Sequence, residues 1–190
     1  MMEDIVIVGF GGHAKSIADC IERMGVYRIV GYTDFAEHPT KYKYLGTDDK
    51  LQSIFDSGVK NAVVGIGYLG KGELRCKLYN NLKKIGFELP IIVDPSSIVS
   101  ETATVGEGTF IGKNAVINAE VSVGKMAIIN TMALVEHECV IRDYAHIAVA
   151  AVLCGQVIVG EASFIGANAT VIQCMEIADH KIVPAGATVR

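Results

Sequence analysis

Two histidines lie close together in the C-terminal half of the chain, within residues 130–146. His137 stands in the run Glu136-His137-Glu138, and His146 follows nine residues after it. An unperturbed imidazole has a pKa of about 6.5, so His137 can take a proton from an amine or hydroxyl attacking a thioester at neutral pH. Either neighbouring glutamate is able to orient the ring. On its own, the run is equally well explained as a solvent-exposed turn.

A glycine-rich segment near the N-terminus is the second candidate site. Gly9-Phe10-Gly11-Gly12-His13-Ala14 follows an apolar run, precedes a helical pattern and fits G-x-G-x-x-A. Glycines let the backbone approach a ligand closely, and the helix N-terminus attracts phosphate. Asp34 lies 23 residues after Gly11, where a ribose-binding carboxylate follows such loops. The motif alone indicates NAD, but the α/β region is long enough for only one mononucleotide half. His13 is alternatively a helix-capping residue with no ligand.

Short apolar runs and helical patterns alternate over residues 1–94. The runs at 5–8, 28–32, 62–67 and 90–93 predict strands, and the apolar spacing before Gly25 and before Gly86 predicts two helices. Alternation of this kind is typical of a parallel α/β sheet. We therefore predict a Rossmann-like N-terminal domain over residues 1–94.

A six-residue period begins at Val99 and continues to the end of the chain. Sixteen positions spaced by six are all aliphatic: Val99, Val105, Ile111, Ile117, Val123, Ile129, Val135, Ile141, Ile147, Leu153, Val159, Ile165, Val171, Ile177, Val183 and Val189. Small residues usually stand four positions after each of them, as at Ala115 and Ala133. The period predicts a solenoid over residues 95–190, in which each hexad forms a short strand and a turn and three hexads close a triangular coil.

Coils of 18 residues place residues 18 apart in one row. Gly155 therefore lies one coil beyond His137 on the same corner, and Ala167 and Ala185 form another row of small residues. A glycine beside a reacting histidine offers space and a bare N–H, although it is also a common turn residue.

The hexapeptide period resembles the left-handed parallel β-helix of hexapeptide acyltransferases. The run Glu136-His137-Glu138-Cys139-Val140-Ile141, with His146 and the Rossmann-like half before it, resembles sugar acyltransferases of the sialic acid O-acetyltransferase and bacillosamine-pathway type. The resemblance spans the whole chain and is stronger to the UDP-4-amino-sugar N-acetyltransferases.

This resemblance implies an acetyl-CoA-dependent N-acetyltransferase that acts on a nucleotide-linked amino sugar, as a homotrimer with sites between protomers. It implies that His137 is the general base, that Glu138 orients it, and that the Gly155 N–H stabilises the oxyanion. It further implies that acetyl-CoA contacts His146, Ala167 and Ala185. The nucleotide sugar would be held by Gly11, Gly12, His13, Thr33, Asp34 and Gly67.

Two alternatives remain open from the sequence. The acceptor could be a hydroxyl, as in sialic acid O-acetylation. The protein could also be a non-catalytic nucleotide-sugar-binding protein, since Met175 and Lys181 stand where the repeat expects small residues.

Composition and charge exclude several other classes of function. The formal net charge is −4 without a run of like charges, which is unlike a nucleic-acid-binding protein. The uncharged stretch 144–160 lies inside the hexapeptide period, so we expect no membrane span. Acidic residues at the N-terminus and five cysteines without C-x-x-C spacing indicate a cytoplasmic protein with reduced thiols. The histidine spacing predicts no metal site.

Overall fold

The computed structural model describes residues 2–67 and 73–190, and the chain divides into two compact units. The N-terminal unit comprises residues 2–67 and 73–90, and the C-terminal unit comprises residues 91–190. The division falls after Pro90, four residues before the boundary predicted from sequence. None of the described helices is long and apolar enough to cross a bilayer.

The N-terminal unit is a three-stranded parallel sheet with helices, in the strand order β2-β1-β3. Its elements are β1 (Glu3–Val8), α1 (Gly12–Met24), β2 (Tyr27–Thr33), a 3₁₀ helix (Asp48–Lys50), α2 (Leu51–Asp56), β3 (Asn61–Val64) and α3 (Glu73–Ile85). Residues 5–8 of the central strand are completely buried, which explains their continuous apolar run. Helix α1 buries one face and ends at Gly25, which adopts the left-handed conformation (φ 66°).

The C-terminal unit is built from seventeen two-residue strands. They are β4 (Ile92–Val93), β5 (Ile98–Val99), β6 (Thr104–Val105), β7 (Phe110–Ile111), β8 (Val116–Ile117), β9 (Ser122–Val123), β10 (Ile128–Ile129), β11 (Leu134–Val135), β12 (Val140–Ile141), β13 (His146–Ile147), β14 (Val152–Leu153), β15 (Ile158–Val159), β16 (Phe164–Ile165), β17 (Thr170–Val171), β18 (Glu176–Ile177), β19 (Ile182–Val183) and β20 (Thr188–Val189). Each strand ends at a position of the six-residue period.

The strands form three parallel sheets, which are the three faces of a triangular coil. The first face contains β4, β7, β10, β13, β16 and β19, the second contains β5, β8, β11, β14, β17 and β20, and the third contains β6, β9, β12, β15 and β18. Paired residues are 18 apart, as in Leu134↔Val152. We call the turns that lead from the first face to the second the first corner, from the second to the third the second corner, and from the third to the first the third corner. The predicted left-handed parallel β-helix of about five turns is confirmed.

The coil interior explains the repeat. The second residue of nearly every strand points inward and is almost fully buried, and the small residue two positions before the next strand's end is buried beside it, as at Ala127 and Ala145. These side chains form one continuous apolar core along the axis. A larger residue at the small positions would overfill the coil.

One strand assignment made from sequence is wrong. Residues 90–93 do not form the last strand of the N-terminal sheet, because Ile92 and Val93 pair with Phe110 and Ile111 on the first face of the β-helix. Val93 lies six residues before Val99 and is therefore in phase with the hexads. The edge of the N-terminal sheet is met instead by Glu88, which bridges to Asn61.

A residue in the left-handed conformation recurs in the turns of the β-helix from Gly108 onward. Every sixth residue from Gly108 to Gly186 has a positive φ angle, and most of these residues are not glycine. Glu138 (φ 59°) and Gln156 (φ 63°) are among them. The repeat therefore holds their backbones in a conformation that non-glycine residues seldom adopt.

Candidate active site

His137 lies in the turn between β11 and β12, on the second corner of the β-helix. Cys139 points into the coil and is fully buried, so the residues before it are held at the corner. The His137 and Glu138 side chains both project outward, with 55% and 46% of their surfaces exposed. The turn is bounded by two buried residues, Val135 and Cys139, and the histidine between them is exposed to solvent.

The imidazole of His137 is paired with Glu138. Its Nδ1 lies 2.9 Å from Glu138 Oε2. The hydrogen bond from His137 lowers the pKa of Glu138, and the hydrogen bond from Gln156 lowers it further by a smaller amount. An ionised carboxylate at this distance favours a proton on Nδ1, which leaves the lone pair on Nε2 to accept a proton from a substrate.

The structure distinguishes the two glutamates that flank the histidine. Glu136 Oε2 accepts hydrogen bonds from Asn118 Nδ2 at 2.9 Å and from the His137 backbone N–H at 3.3 Å. Glu136 therefore closes the turn and binds the preceding coil, whereas Glu138 alone contacts the ring. The contact is the one that an orienting carboxylate would make, and the role of Glu138 stays a prediction.

Gly155 lies directly against the imidazole. A Cβ atom at this position would be 2.6 Å from both Cε1 and Nε2 of His137. The φ angle of Gly155 is not positive, so the backbone does not require glycine here. Within the described part of the chain, the Gly155 N–H donates to no acceptor. Glycine at this position leaves space for the ring, and the role of its N–H as an oxyanion donor stays a prediction.

Two further residues, which the sequence analysis missed, extend the His137–Glu138 pair across neighbouring coils. Gln156 Nε2 donates to Glu138 Oε2 at 3.2 Å, and Gln156 Oε1 accepts from Cys174 Sγ at 3.3 Å. The spacing of 18 residues that located Gly155 also relates Glu138 to Gln156 and Gln156 to Cys174. The same arithmetic could have found both residues.

The residues predicted to contact acetyl-CoA lie elsewhere on the β-helix. His146 is in strand β13 on the first face, where it is 8% exposed and its ring meets that of Phe164 edge-on at 5.1 Å. Asn130 Nδ2 lies 3.3 Å from His146 Nε2. Ala167 and Ala185 are on the first corner, after β16 and β19. A single chain therefore does not bring these residues to the second corner, where His137 lies.

The predicted nucleotide-sugar loop joins β1 to α1. Gly11 is the N-cap of α1, and no described atom lies within 4 Å of where a Cβ on Gly11 or Gly12 would stand. A Cβ on Gly67 would lie 3.5 Å from His13 Cβ. The structure thus brings Gly11, Gly12, His13 and Gly67 together around a helix N-terminus with open space beside it, an arrangement that suits a phosphate group.

His13 is largely enclosed by the N-terminal unit. Burial, with a smaller contribution from the positive charge of Arg75, lowers the pKa of His13 to about 4. Arg75 is itself 3% exposed and comes from α3. At neutral pH, His13 is therefore an uncharged ring, which can bind a ligand by hydrogen bonding but supplies no positive charge to a phosphate.

Thr33 and Asp34 have bonding partners within the N-terminal unit. Thr33 is fully buried and its hydroxyl donates to Asp48 at 2.7 Å. Asp34 Oδ2 accepts from the Phe10 N–H at 2.7 Å and lies 3.0 Å from His38 Nε2. The Asp34 carboxylate therefore fixes the glycine-rich loop to the end of β2, a role that the ribose prediction did not include.

The described residues contain no group of three or more His, Cys, Asp and Glu side chains placed to hold a metal ion. All five cysteines are free thiols.

Comparison with known proteins gives matches over both units. Residues 4–82 match the family described as the PglD N-terminal domain. The structure of PerB from Caulobacter crescentus in complex with CoA and GDP-perosamine is similar to this chain, with 34% sequence identity and a TM-score of 0.90, over 100% of this chain and 90% of that one.

Two further solved structures are similar. A histidine-to-alanine mutant of GDP-perosamine N-acetyltransferase from Caulobacter crescentus, in complex with CoA and GDP-perosamine, has 32% identity and a TM-score of 0.93, over 100% of this chain and 90% of that one. The acetyltransferase domain of PglB from Neisseria gonorrhoeae FA1090 has 28% identity and a TM-score of 0.91, over 99% and 91%. Together with the β-helix and the N-terminal match, these similarities show that the chain is an acyltransferase and belongs to the hexapeptide-repeat nucleotide-sugar N-acetyltransferase family.

Proposed function

We propose that this protein transfers the acetyl group of acetyl-CoA to the amino group of a nucleotide-linked amino sugar. The observation that carries the proposal is the exposed His137 imidazole, with Nδ1 held 2.9 Å from Glu138 and Nε2 facing Gly155. The similarity to PerB, whose structure holds CoA and GDP-perosamine, supports both substrates.

The proposed chemistry follows from the different partners of the two imidazole nitrogens. With Nδ1–H held by Glu138, the lone pair of Nε2 accepts a proton from the sugar amine as its nitrogen attacks the thioester carbonyl carbon. The carbonyl oxygen becomes an oxyanion, and in this proposal the Gly155 N–H stabilises it. The tetrahedral intermediate then collapses, the C–S bond breaks, and the imidazolium returns its proton to the thiolate of CoA. The products are the acetamido sugar and CoA.

An amine acceptor is favoured over a hydroxyl because the relatives with at least 30% identity are N-acetyltransferases. The sialic acid type of O-acetylation therefore becomes the second outcome of the substrate test. We retain the UDP-4-amino-sugar as the expected acceptor class, with GDP-linked amino sugars as the direct competitor because of the GDP-perosamine complexes.

A binding site shared between protomers is supported by where the predicted residues lie. His137, Glu138 and Gly155 are on the second corner, while Ala167 and Ala185 are on the first corner and His146 is on the first face. In a homotrimer, a corner of one β-helix can face a different side of its neighbour, so the two groups of residues would meet across the interface.

The nucleotide part of the substrate is assigned to the loop between β1 and α1. Gly11 and Gly12 leave open space at the N-terminus of α1, and His13 and Gly67 border it. Backbone N–H groups and the helix dipole attract the diphosphate there without a charged side chain.

The proposed function is tested by measuring thiol release from acetyl-CoA with a panel of acceptors. The panel contains UDP- and GDP-linked amino sugars, the corresponding sugars with a hydroxyl in place of the amine, a CMP-linked sialic acid and free amino sugar. We expect release only with nucleotide-linked amino sugars. Release with the hydroxyl sugars alone would establish O-acetylation, and binding of acetyl-CoA without release from any acceptor would establish the non-catalytic alternative.

A further inference from the structure

The hydrogen bonds at the second corner continue beyond the His137–Glu138 pair, and we propose that Gln156 is a positioning residue for the base. It acts from the next coil by holding the Glu138 carboxylate against His137 Nδ1. This inference rests on the proposed function, because it assigns a role relative to His137 as the general base.

The same carboxylate oxygen joins the three side chains. Glu138 Oε2 lies 2.9 Å from His137 Nδ1 and accepts from Gln156 Nε2 at 3.2 Å. The pair is half exposed, and an exposed pair of this kind does not by itself restrain a flexible glutamate side chain. A second donor from another coil limits the positions that the carboxylate can take, and so limits the rotation of the imidazole.

Gln156 is itself held at both ends of its amide and at its backbone. Its Oε1 accepts from Cys174 Sγ at 3.3 Å, which leaves the amide N–H₂ directed at Glu138. Its backbone N–H donates to the carbonyl of His137 at 2.9 Å. Flipping the amide would place Oε1 against a carboxylate oxygen and lose the Cys174 bond, so only one orientation satisfies both neighbours.

A merely structural role for the Gln156 side chain is not indicated. The residue is exposed and lies outside the apolar core of the β-helix. The hydrogen bond between the coils at this point is made by its backbone, which any residue provides. The pairing of the coils therefore does not depend on the Gln156 side chain, and its removal would affect only the contacts with Glu138 and Cys174.

Other charged or titratable groups on this corner must be considered in a pH experiment. Glu136 is on the same turn as His137 and is already bound to Asn118. The neighbouring coils contribute Glu120, Cys154 and Cys174. All of these are present in the wild type and in the variants below, so a change in the pH profile reports the substitution alone.

Two substitutions separate positioning from structure. Gln156→Asn keeps an amide and suits the left-handed backbone, but it is one methylene too short to reach Glu138. We expect kcat/KM for acetyl transfer to fall on the order of tenfold, with unchanged KM for acetyl-CoA. Gln156→Glu places a second carboxylate beside Glu138, which favours the protonated imidazole. We expect the acid limb of the kcat/KM profile to move to higher pH.

The control is Gln173→Asn, the same substitution at an exposed glutamine on the same corner, and it should leave both readouts unchanged. The His137 ring signals are followed by NMR across the same pH range in every variant. In Gln156→Glu they should change at higher pH than in the wild type, whether or not the wild type turns over an acceptor. An inactive wild type with this NMR shift would contradict the proposed function but support the positioning role. Gln156 variants with wild-type kcat/KM, pH profile and ring titration would overturn the positioning role.

Discussion

At the third corner of the β-helix two aspartates bind the preceding coil, whereas at the second corner one of the corresponding positions is Gly155 and has no side chain. Asp179 Oδ1 accepts the Glu161 N–H of the preceding coil at 2.7 Å, and Asp143 Oδ1 accepts the Lys125 N–H at 3.0 Å. Each aspartate stands two residues after a core aliphatic residue and 18 residues after its donor. At this corner, side chains tie one coil to the next.

Gly155 occupies the matching position on the second corner, one coil after His137. The backbone N–H of His137 is satisfied by Glu136 of its own turn at 3.3 Å, so no carboxylate from the next coil is required. The space that an aspartate would fill is taken by the imidazole. At the third corner this position of the repeat therefore carries a carboxylate that binds the preceding coil. At the second corner Gly155 makes no such contact, and the His137 ring occupies the space.

Among the substitutions that separate the two corners, Gly155→Ala has the largest expected effect on kcat/KM. The added Cβ would lie 2.6 Å from Cε1 and Nε2 of His137, and the half-exposed ring can rotate away at little cost in stability. The variant keeps its backbone N–H, so the change tests space alone. We expect kcat/KM to fall about 100-fold because the base is displaced, with a nearly unchanged melting temperature.

The matched control is Gly124→Ala near the third corner. Its Cβ would lie 2.7 Å from the backbone nitrogen of Asp143, which cannot move aside without shifting the coil. This variant should melt at a lower temperature and keep the kcat/KM of its folded fraction. If Gly155→Ala and Gly124→Ala changed kcat/KM and the melting temperature in the same way, the second corner would not be specialised for activity and the third for stability.

His13, which is largely enclosed by the N-terminal unit, is a second histidine whose surroundings the fold constrains. Its pKa is lowered to about 4 by burial and by Arg75. Between pH 6.5 and 4 the unfolded chain binds a proton at this residue that the folded chain does not, so the free energy of unfolding decreases as the pH falls through this range. The decrease in the free energy of unfolding reaches up to about 3 kcal/mol near pH 4.

His13→Gln should remove this part of the pH dependence. Urea unfolding at about pH 7.5 and pH 5 measures it, and we expect a smaller difference in stability between the two pH values in the variant than in the wild type. His180→Asn, at an exposed histidine in a turn, serves as the control. If His13→Gln and the wild type lose the same stability on acidification, His13 is not the group responsible.

Asp179→Ala tests the structural corner directly. Removing the carboxylate leaves the Glu161 N–H without its acceptor and also removes the contact with Arg142 at 3.4 Å. We expect the free energy of unfolding to fall by about 1 kcal/mol, with no change in kcat/KM. Asp179→Asn retains an acceptor oxygen and should recover most of the loss. A fall in kcat/KM with unchanged stability would reverse the assignment of the two corners.

Cys174→Ala has the smallest expected effect. It removes the donor to Gln156 Oε1, so the amide is held only by Glu138. We expect kcat/KM to decrease roughly two- to threefold, as for the loss of one weak hydrogen bond. Cys174→Ser, which provides a hydroxyl donor, should preserve the wild-type value. Equal rates for the alanine and serine variants would show that the thiol does not restrain Gln156.

The β-helix could be predicted almost completely from the sequence because one physical constraint repeats every six residues. An aliphatic residue must point into the coil at each strand, and Val99 through Val189 satisfy this without interruption. The strand at Ile92–Val93 was predicted but assigned to the N-terminal sheet, because it follows a helix as the strands of an α/β pattern do. The left-handed turn position left little trace, since Gly108 and Gly186 are its only glycines with a positive φ.

The candidate site could be predicted only where residues adjoin in sequence or follow the 18-residue spacing. His137 with Glu138, and Gly155 one coil later, were found in this way, and the structure places them in contact. The residues alone left Glu136 and Glu138 equivalent, and only the family resemblance favoured Glu138, because the directions of the two side chains are not contained in the sequence. The hydrogen bonds of Thr33 with Asp48 and of Asp34 with Phe10 join separate parts of the chain, so no local sequence pattern predicts them.

The most direct test of the account is the kcat/KM of His137→Asn with the acceptor that releases CoA fastest, measured beside His180→Asn. Asparagine retains a polar side chain but cannot accept the amine proton at neutral pH. We expect His137→Asn to lose a factor of about 10² to 10⁴ while its unfolding curve stays that of the wild type, and His180→Asn to be fully active. A His137→Asn variant that transfers acetyl groups at the wild-type rate would contradict the assignment of this imidazole as the base.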